Sequence, residues 1–117
     1  MSAHVISTAS ADHYTWGNRC DGWFLVRTPE LNIIEELMPP GSSETRHHHV
    51  RARQFFFVLE GELTMEIEHH QFTIHTREGI EVAPGQLHQA INRGATPLRI
   101  LVTSQPPSHG DRIEEMQ

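Results

Sequence analysis

An all-β fold is predicted by two features of this 117-residue sequence. Short apolar runs follow one another along most of the chain, without the 3.6-residue periodicity of amphipathic helices. Proline and glycine stand between these runs, where they impose backbone angles that strands do not use. Successive short strands with no helix between them indicate an antiparallel sandwich or barrel and argue against a parallel βαβ fold.

The strands are predicted from apolar or alternating runs that end at turn residues. Leu63, Met65 and Ile67, for example, alternate with polar residues, which is typical of a strand with one buried face. Turns are indicated by Glu60-Gly61 and Pro84-Gly85, among others. In order, the predicted strands cover residues 22–27, 32–38, 44–50, 54–60, 62–68, 71–75, 79–83, 88–92 and 98–104.

Composition excludes several classes of protein. A chain of 117 residues has the length of a single domain. A net charge of −6, with no lysine and with scattered arginines, argues against binding to nucleic acid or to an anionic membrane. The single cysteine, Cys20, has no partner for an internal disulfide. Residues 1–10 lack the pattern of a secretory signal, and no apolar run approaches the length of a membrane helix. We therefore expect a soluble, cytoplasmic protein.

Four side chains form a candidate metal site. If residues 44–50 form a strand, His47 and His49 share one face and His48 faces the other way. Two imidazoles need two further donors to complete a four-ligand site, and Gln54 and His88 are the candidates. Such donors suit one divalent transition metal ion, with iron, nickel, copper, cobalt and zinc equally compatible.

The residues around these candidates resemble the two sequence motifs of the cupins. The second motif is similar to the stretch from Ala83 to Asn92, in which His88 is the histidine, although Arg77 and Ala83 replace the motif's first glycine and its proline. In the first motif, glutamate usually stands at the place of Gln54. The residues that match the first motif in order and spacing are Gly41, His47, His49, Gln54 and Gly61.

The resemblance implies a cupin double-stranded β-helix, a mainly antiparallel jelly-roll barrel with the metal in its lumen. His47, His49, Gln54 and His88 are carried over to the ligand positions. Residues 31–104 would form the barrel, residues 1–30 would pack on it or extend it, and residues 105–117 would form a C-terminal tail. The resemblance also implies a homodimer.

Gln54 leaves two interpretations open. An amide oxygen does not neutralise the ion as a carboxylate would, so the ion should be held less tightly and act as a stronger Lewis acid. Alternatively, the substitution marks a pocket that no longer binds metal. By alternation Phe56 and Val58 share the lumen face with Gln54 and are candidate pocket residues.

Two further features have alternative explanations. Arg51 and Arg53, in the turn between the ligand strands, either anchor a carboxylate or phosphate or are simply solvated. Phe55, Phe57 and Leu59 face outward, so either a second subunit or the N-terminal segment with Trp16 and Trp23 is expected to cover them.

Two functions follow from these residues. The first is a metal-dependent enzyme acting on a small oxygenated molecule by dioxygen insertion, which would make it an oxidoreductase, or by isomerisation or decarboxylation. The second is a non-catalytic barrel that binds or senses a small molecule, with or without metal. A proton-transfer group in the lumen would favour the enzyme, and the sequence alone identifies none.

Overall fold

The computed structural model describes residues 3–115, and these consist of strands and turns with no helix. There is accordingly no helix in this range that could span a membrane. The strands are β1 (Asp12–Trp16), β2 (Cys20–Arg27), β3 (Asn32–Met38), β4 (His47–His49), β5 (Arg53–Glu60), β6 (Leu63–Ile67), β7 (His70–Ile74), β8 (Gly79–Val82), β9 (His88–Ile91), β10 (Leu98–Gln105) and β11 (Arg112–Glu114). The prediction of an all-β fold is confirmed.

Two antiparallel sheets make up the molecule. The six-stranded sheet has the order β1-β2-β3-β10-β5-β8, and the five-stranded sheet has the order β11-β4-β9-β6-β7. Alternating side chains from both sheets form the core, in which Met38, Val58, Leu63, Met65 and Ile100 are fully shielded from water. Burial of a side chain of this kind contributes roughly 1.5 to 3 kcal/mol to folding.

The predicted strands agree with the observed ones to within a few residues, and β3 agrees at both ends. The hairpin between β6 and β7 turns at Glu68 and His69, whose φ values of 49° and 68° are those of a tight two-residue turn. The strand predicted at residues 44–50 shortens to β4, because the backbone of Glu44 instead bonds the carbonyl of Ala90 outside the ladder.

Strands β1 and β11 were not predicted, and both extend a sheet. β1 adds an edge to the six-stranded sheet by pairing with β2. β11, from the segment expected to be a tail, pairs with β4 through Arg112, Ile113 and Glu114. The strand that carries His47 and His49 therefore lies between β9 and β11 rather than at an edge.

Candidate metal centre

Three histidine side chains meet between the sheets. His47 and His49 point inward from β4, and His88 points inward from β9, directly opposite His47 in the ladder. One nitrogen from each ring lies within 4.8 Å of the others, and the three side chains are 1 to 5% exposed. The ring centroids of His47 and His88 are 4.3 Å apart. His48 is half-buried on the other face of β4, as alternation predicts.

Backbone carbonyls fix the hydrogen position on two of these rings. Nδ1 of His47 lies 2.7 Å from the carbonyl oxygen of Thr45, and Nδ1 of His88 lies 2.9 Å from that of Gln86. A carbonyl only accepts hydrogen bonds, so Nδ1 donates in both rings and Nε2 keeps its lone pair. Nε2 of His88 is buried without a partner in the described part of the chain. This is the state that a metal-binding imidazole requires.

Gln54 contributes a second orphaned atom. Its Nε2 donates a hydrogen bond of 3.0 Å to Oγ of Ser104, which fixes the orientation of the amide. Its Oε1 is buried and has no hydrogen-bond donor within residues 3–115. A buried carbonyl oxygen without a partner is costly, and a cation would satisfy it. The donor set therefore fits a divalent transition metal ion, and coordination by Gln54 remains a prediction.

Burial keeps the imidazoles uncharged. It lowers the pKa of His47 to about 3, with repulsion from His88 as the next cause. Burial, followed again by His88, lowers the pKa of His49 to about 4. Burial also lowers the pKa of His88. Neutral imidazoles bind metal without first releasing a proton, so the three rings are ready to coordinate at neutral pH.

A cavity of about 170 Å³ adjoins His47 and His49. Gln54 and Phe56, which share one face of β5, line it. Several other lining residues come from segments that sequence reasoning did not assign to the site. They are Tyr14, Trp16, Ile34, Glu36, Glu44, Val102, Ser108, His109, Gly110 and Arg112.

Some predicted pocket residues lie elsewhere. Val58 is buried in the core and does not line the cavity. Arg53 precedes Gln54 in β5, so alternation turns it outward, where it pairs with Glu81. Arg51 is exposed in the turn before β5. Neither of these arginines lines the cavity. The arginine that does line it, together with His47 and His49, is Arg112 of β11.

Glu36 is the residue whose role the sequence could have indicated. It stands between Ile34 and Met38 on the inward face of β3, where a carboxyl group interrupts an apolar row. Tyr14 and Arg112 gave no such signal, because they lie on β1 and β11, which were not predicted as strands.

The two carboxyl groups that line the cavity, those of Glu36 and Glu44, have raised pKa values. Burial, followed by repulsion from Glu44, raises the pKa of Glu36 to about 8. Burial raises the pKa of Glu44 to about 7, although a hydrogen bond from the amide of Ala90, 2.9 Å long, opposes the rise. Glu36 is thus mainly a neutral acid at neutral pH. The cavity therefore contains two carboxyl groups with raised pKa values, which the sequence alone did not reveal.

The comparisons with known proteins agree with this architecture. A family model described as a cupin domain matches residues 34–104. An uncharacterized protein of Methanocaldococcus jannaschii is 32% identical over 81 residues, which cover 68% of this chain and 65% of that protein. The match thus spans less than two thirds of that relative's length.

Solved structures show the same fold. An RmlC-like cupin from Shewanella frigidimarina has a TM-score of 0.81 at 20% identity, over 93% of this chain and 96% of that one. A predicted oxalate decarboxylase from Thermotoga maritima has a TM-score of 0.81 at 17% identity, over 89% of this chain and 100% of that one. With the family match and the double-stranded β-helix together, this chain belongs to the cupin family.

Proposed function

We propose that the protein is a metal-dependent cupin enzyme acting on a small oxygenated molecule. One divalent transition metal ion would be held by His47, His49, His88 and Gln54, and the reaction would be of the dioxygenase, isomerase or decarboxylase type. The observation that carries the proposal is the cluster of three buried imidazoles, two of which are oriented by backbone carbonyls.

A bound ion would supply Lewis acidity to an oxygen of the substrate and, if it is iron or copper, redox chemistry as well. The chain supplies the rest of the site. Phe56 contributes an apolar wall, Gln54 adds no negative charge, and Glu36 and Glu44 provide groups that exchange protons near neutral pH. Proton-exchanging groups beside the histidines favour an enzyme over a simple binding barrel.

The size of the cavity supports a small substrate. Pockets for drug-sized ligands occupy roughly 300 to 1,000 Å³, whereas this cavity measures about 170 Å³. The Thermotoga maritima structure, described as a predicted oxalate decarboxylase, shares the fold and is consistent with substrates of this class.

Metal content tests the proposal. Untagged protein, purified without a metal column, would be analysed by elemental mass spectrometry as wild type, His47→Ala, His88→Ala and His48→Ala. The last variant is the matched control, because His48 lies on the same strand but faces away from the cluster. We expect about one equivalent of metal in wild type and His48→Ala, and a large loss in the other two variants.

Two outcomes would overturn the metal centre. One is a wild-type protein that takes up neither iron, nickel, copper, cobalt nor zinc when these are added. The other is loss of metal in His48→Ala as severe as in His88→Ala, which would indicate adventitious binding to the histidine triplet. If the metal is present but small carboxylates, sugars and diketones bind without turnover in every reconstituted form, the protein is a binding or sensing cupin instead.

We also propose a homodimer, formed through the outward face of β5. Phe55 and Leu59 on this face are 45% and 39% exposed, and the N-terminal strands lie beside β3 in the sheet instead of covering them. A contiguous apolar face of this kind favours association. A cytoplasmic location is likewise a proposal, which rests on the single, unpaired Cys20.

A further inference from the structure

Tyr14, Gly22 and Glu36 form a row across three neighbouring strands. Gly22 of β2 is paired with Tyr14 of β1 on one side and with Glu36 of β3 on the other. A Cβ atom at Gly22 would lie 2.3 Å from Cζ and 2.6 Å from the hydroxyl oxygen of Tyr14. The tyrosine ring therefore lies across Gly22, and only glycine leaves room for it.

This arrangement places Tyr14 and Glu36 on the two sides of Gly22, with the Tyr14 hydroxyl above the glycine that separates them. Both side chains line the cavity that also contains His47 and His49. Burial raises the pKa of Glu36, and the Tyr14 hydroxyl acts in the opposite direction, as a hydrogen-bond donor to the carboxyl group would. Glu36 is half-buried at this wall. A carboxyl group offers more hydrogen-bonding positions than one hydroxyl can fill, so Glu36 retains capacity for a ligand.

We propose that Glu36 is a ligand-binding residue of the cavity, donating a hydrogen bond from its protonated carboxyl group to an oxygen of a small carboxylate ligand. Tyr14 is a positioning residue, which holds the Glu36 carboxyl group through the space that Gly22 leaves. The inference deepens the proposed function, on which it rests, by naming the ligand class and the side chain that recognises it.

Arg112 is the cavity charge that favours an anionic ligand beside Glu36. The titratable or charged side chains that share its cavity are Tyr14, Glu44, His47, His49, His109 and Arg112. Burial raises the pKa of Tyr14 and lowers that of His109, so these two groups are neutral at neutral pH. Arg112 is positive, and Glu44, whose pKa burial raises to about 7, is partly ionised. Because Glu36 itself keeps its proton, it does not repel a carboxylate.

The volume of the cavity limits the size of the ligand. An engineered protein cavity of about 150 Å³ accepts benzene, and the cavity beside Glu36 measures about 170 Å³. The part of the ligand inside the lumen therefore has roughly six to eight non-hydrogen atoms. Short carboxylates with a second oxygen, such as 2-oxo acids and hydroxy acids, satisfy both the size and the charge.

Pyruvate is the probe, titrated by calorimetry into the zinc-loaded full chain and, separately, into zinc-free protein. In wild type we expect binding to weaken first as Glu44 ionises near pH 7 and then, as the pH rises past 8, by up to tenfold per pH unit, because ionised Glu36 repels the ligand. Glu36→Ala should bind about tenfold more weakly at pH 6.5, the loss of roughly one hydrogen bond.

Two conservative variants separate recognition from folding. Glu36→Gln keeps a hydrogen-bond donor, so it should bind within about threefold of wild type at pH 6.5 and lose the part of the pH dependence due to Glu36. Tyr14→Phe removes the donor that favours the ionised carboxyl group, so the decline in binding should move to higher pH. Glu35→Gln is the matched control, because Glu35 lies on the outward face of β3, paired with Arg99.

Zinc content is measured in the same samples. If zinc is bound and pyruvate affinity in Glu36→Ala equals that of wild type, or if Glu36→Gln retains the whole pH dependence, this inference is wrong while the metal centre stands. Zinc binding without any pyruvate binding in wild type also overturns it. If zinc is not bound but pyruvate binding depends on Glu36, the inference stands and the proposed metal enzyme fails; if neither holds, both fail.

Discussion

Asp111 fastens the C-terminal segment to the turn between β4 and β5, and its removal should destabilise the protein. Its Oδ2 accepts hydrogen bonds from the backbone amides of Arg51 and Ala52, at 2.9 Å and 2.8 Å. Asp111 and Ala52 are buried. The perturbation is Asp111→Ala, which removes both bonds and leaves the amide of Ala52 without a partner.

The expected loss in the free energy of unfolding follows from these two hydrogen bonds. A hydrogen bond to a charged group contributes about 1.5 to 3 kcal/mol to stability, and an unsatisfied buried amide costs about 1 to 3 kcal/mol. Because the two bonds share one oxygen and the amide of Arg51 regains water, we expect Asp111→Ala to lower the free energy of unfolding by about 2 to 5 kcal/mol. This is a large part of the roughly 5 to 15 kcal/mol of a typical domain.

The loss of stability caused by Asp111→Ala should depend on pH. Burial acts to raise the pKa of Asp111, but the two amide hydrogen bonds and nearby positive charge outweigh it and hold the pKa below its usual range. A carboxyl group with a lowered pKa in the folded state stabilises the protein above its unfolded-state pKa. That contribution disappears as the pH falls through the folded-state pKa, so the difference between wild type and Asp111→Ala should narrow from pH 7 towards pH 3.

Urea denaturation followed by tryptophan fluorescence measures the effect at several pH values. Glu114→Ala is the control, because Glu114 lies in the same C-terminal segment with its side chain 59% exposed, and it should change stability by no more than about 0.5 kcal/mol. Equal destabilisation by the two variants, or an Asp111→Ala loss that is the same at pH 3 as at pH 7, would refute the reasoning.

Three further predictions concern the metal, the dimer and the core. Gln54→Glu should bind zinc at least about tenfold more tightly in a chelator competition, because a carboxylate neutralises part of the ion's charge; unchanged affinity would argue against coordination at this position. Phe55→Ser with Leu59→Ser should give a light-scattering mass near 13.4 kDa, and wild type twice that mass; a monomeric wild type contradicts the dimer. Met65→Ala should lower the free energy of unfolding by about 2 to 5 kcal/mol in urea, and a smaller loss would mean that the core repacks.

Local patterns in the sequence were sufficient for most strands and for the shared face of His47 and His49. Alternation placed His47 and His49 on one face of β4, because strand geometry repeats every two residues and does not depend on distant parts of the chain. The ladder then set His88 opposite His47. The cupin motifs gave the order in which these segments come together, which periodicity alone does not contain.

The rest of the site depends on contacts between distant segments. β11 has only three residues and exists because β4 offers it a free edge, so no local pattern marks Arg112 as a cavity residue. The strand β1 is half polar, and its alignment with β2 decides that Tyr14 lies across Gly22. Arg51 and Arg53 were chosen for their nearness in sequence to the ligands, but alternation turns Arg53 outward and the turn exposes Arg51.

The position of β4 between β9 and β11 has a consequence for folding. Its neighbours in the ladder are His88 and residues 112–114, so the donor cluster forms only when segments far apart in sequence have met. Such contacts form with a large loss of chain entropy, and an unfolded chain does not preassemble them. The amount of metal bound at this centre would therefore report the amount of natively folded protein. A metal ion at 100 times its dissociation constant would stabilise the folded state by about 2.7 kcal/mol.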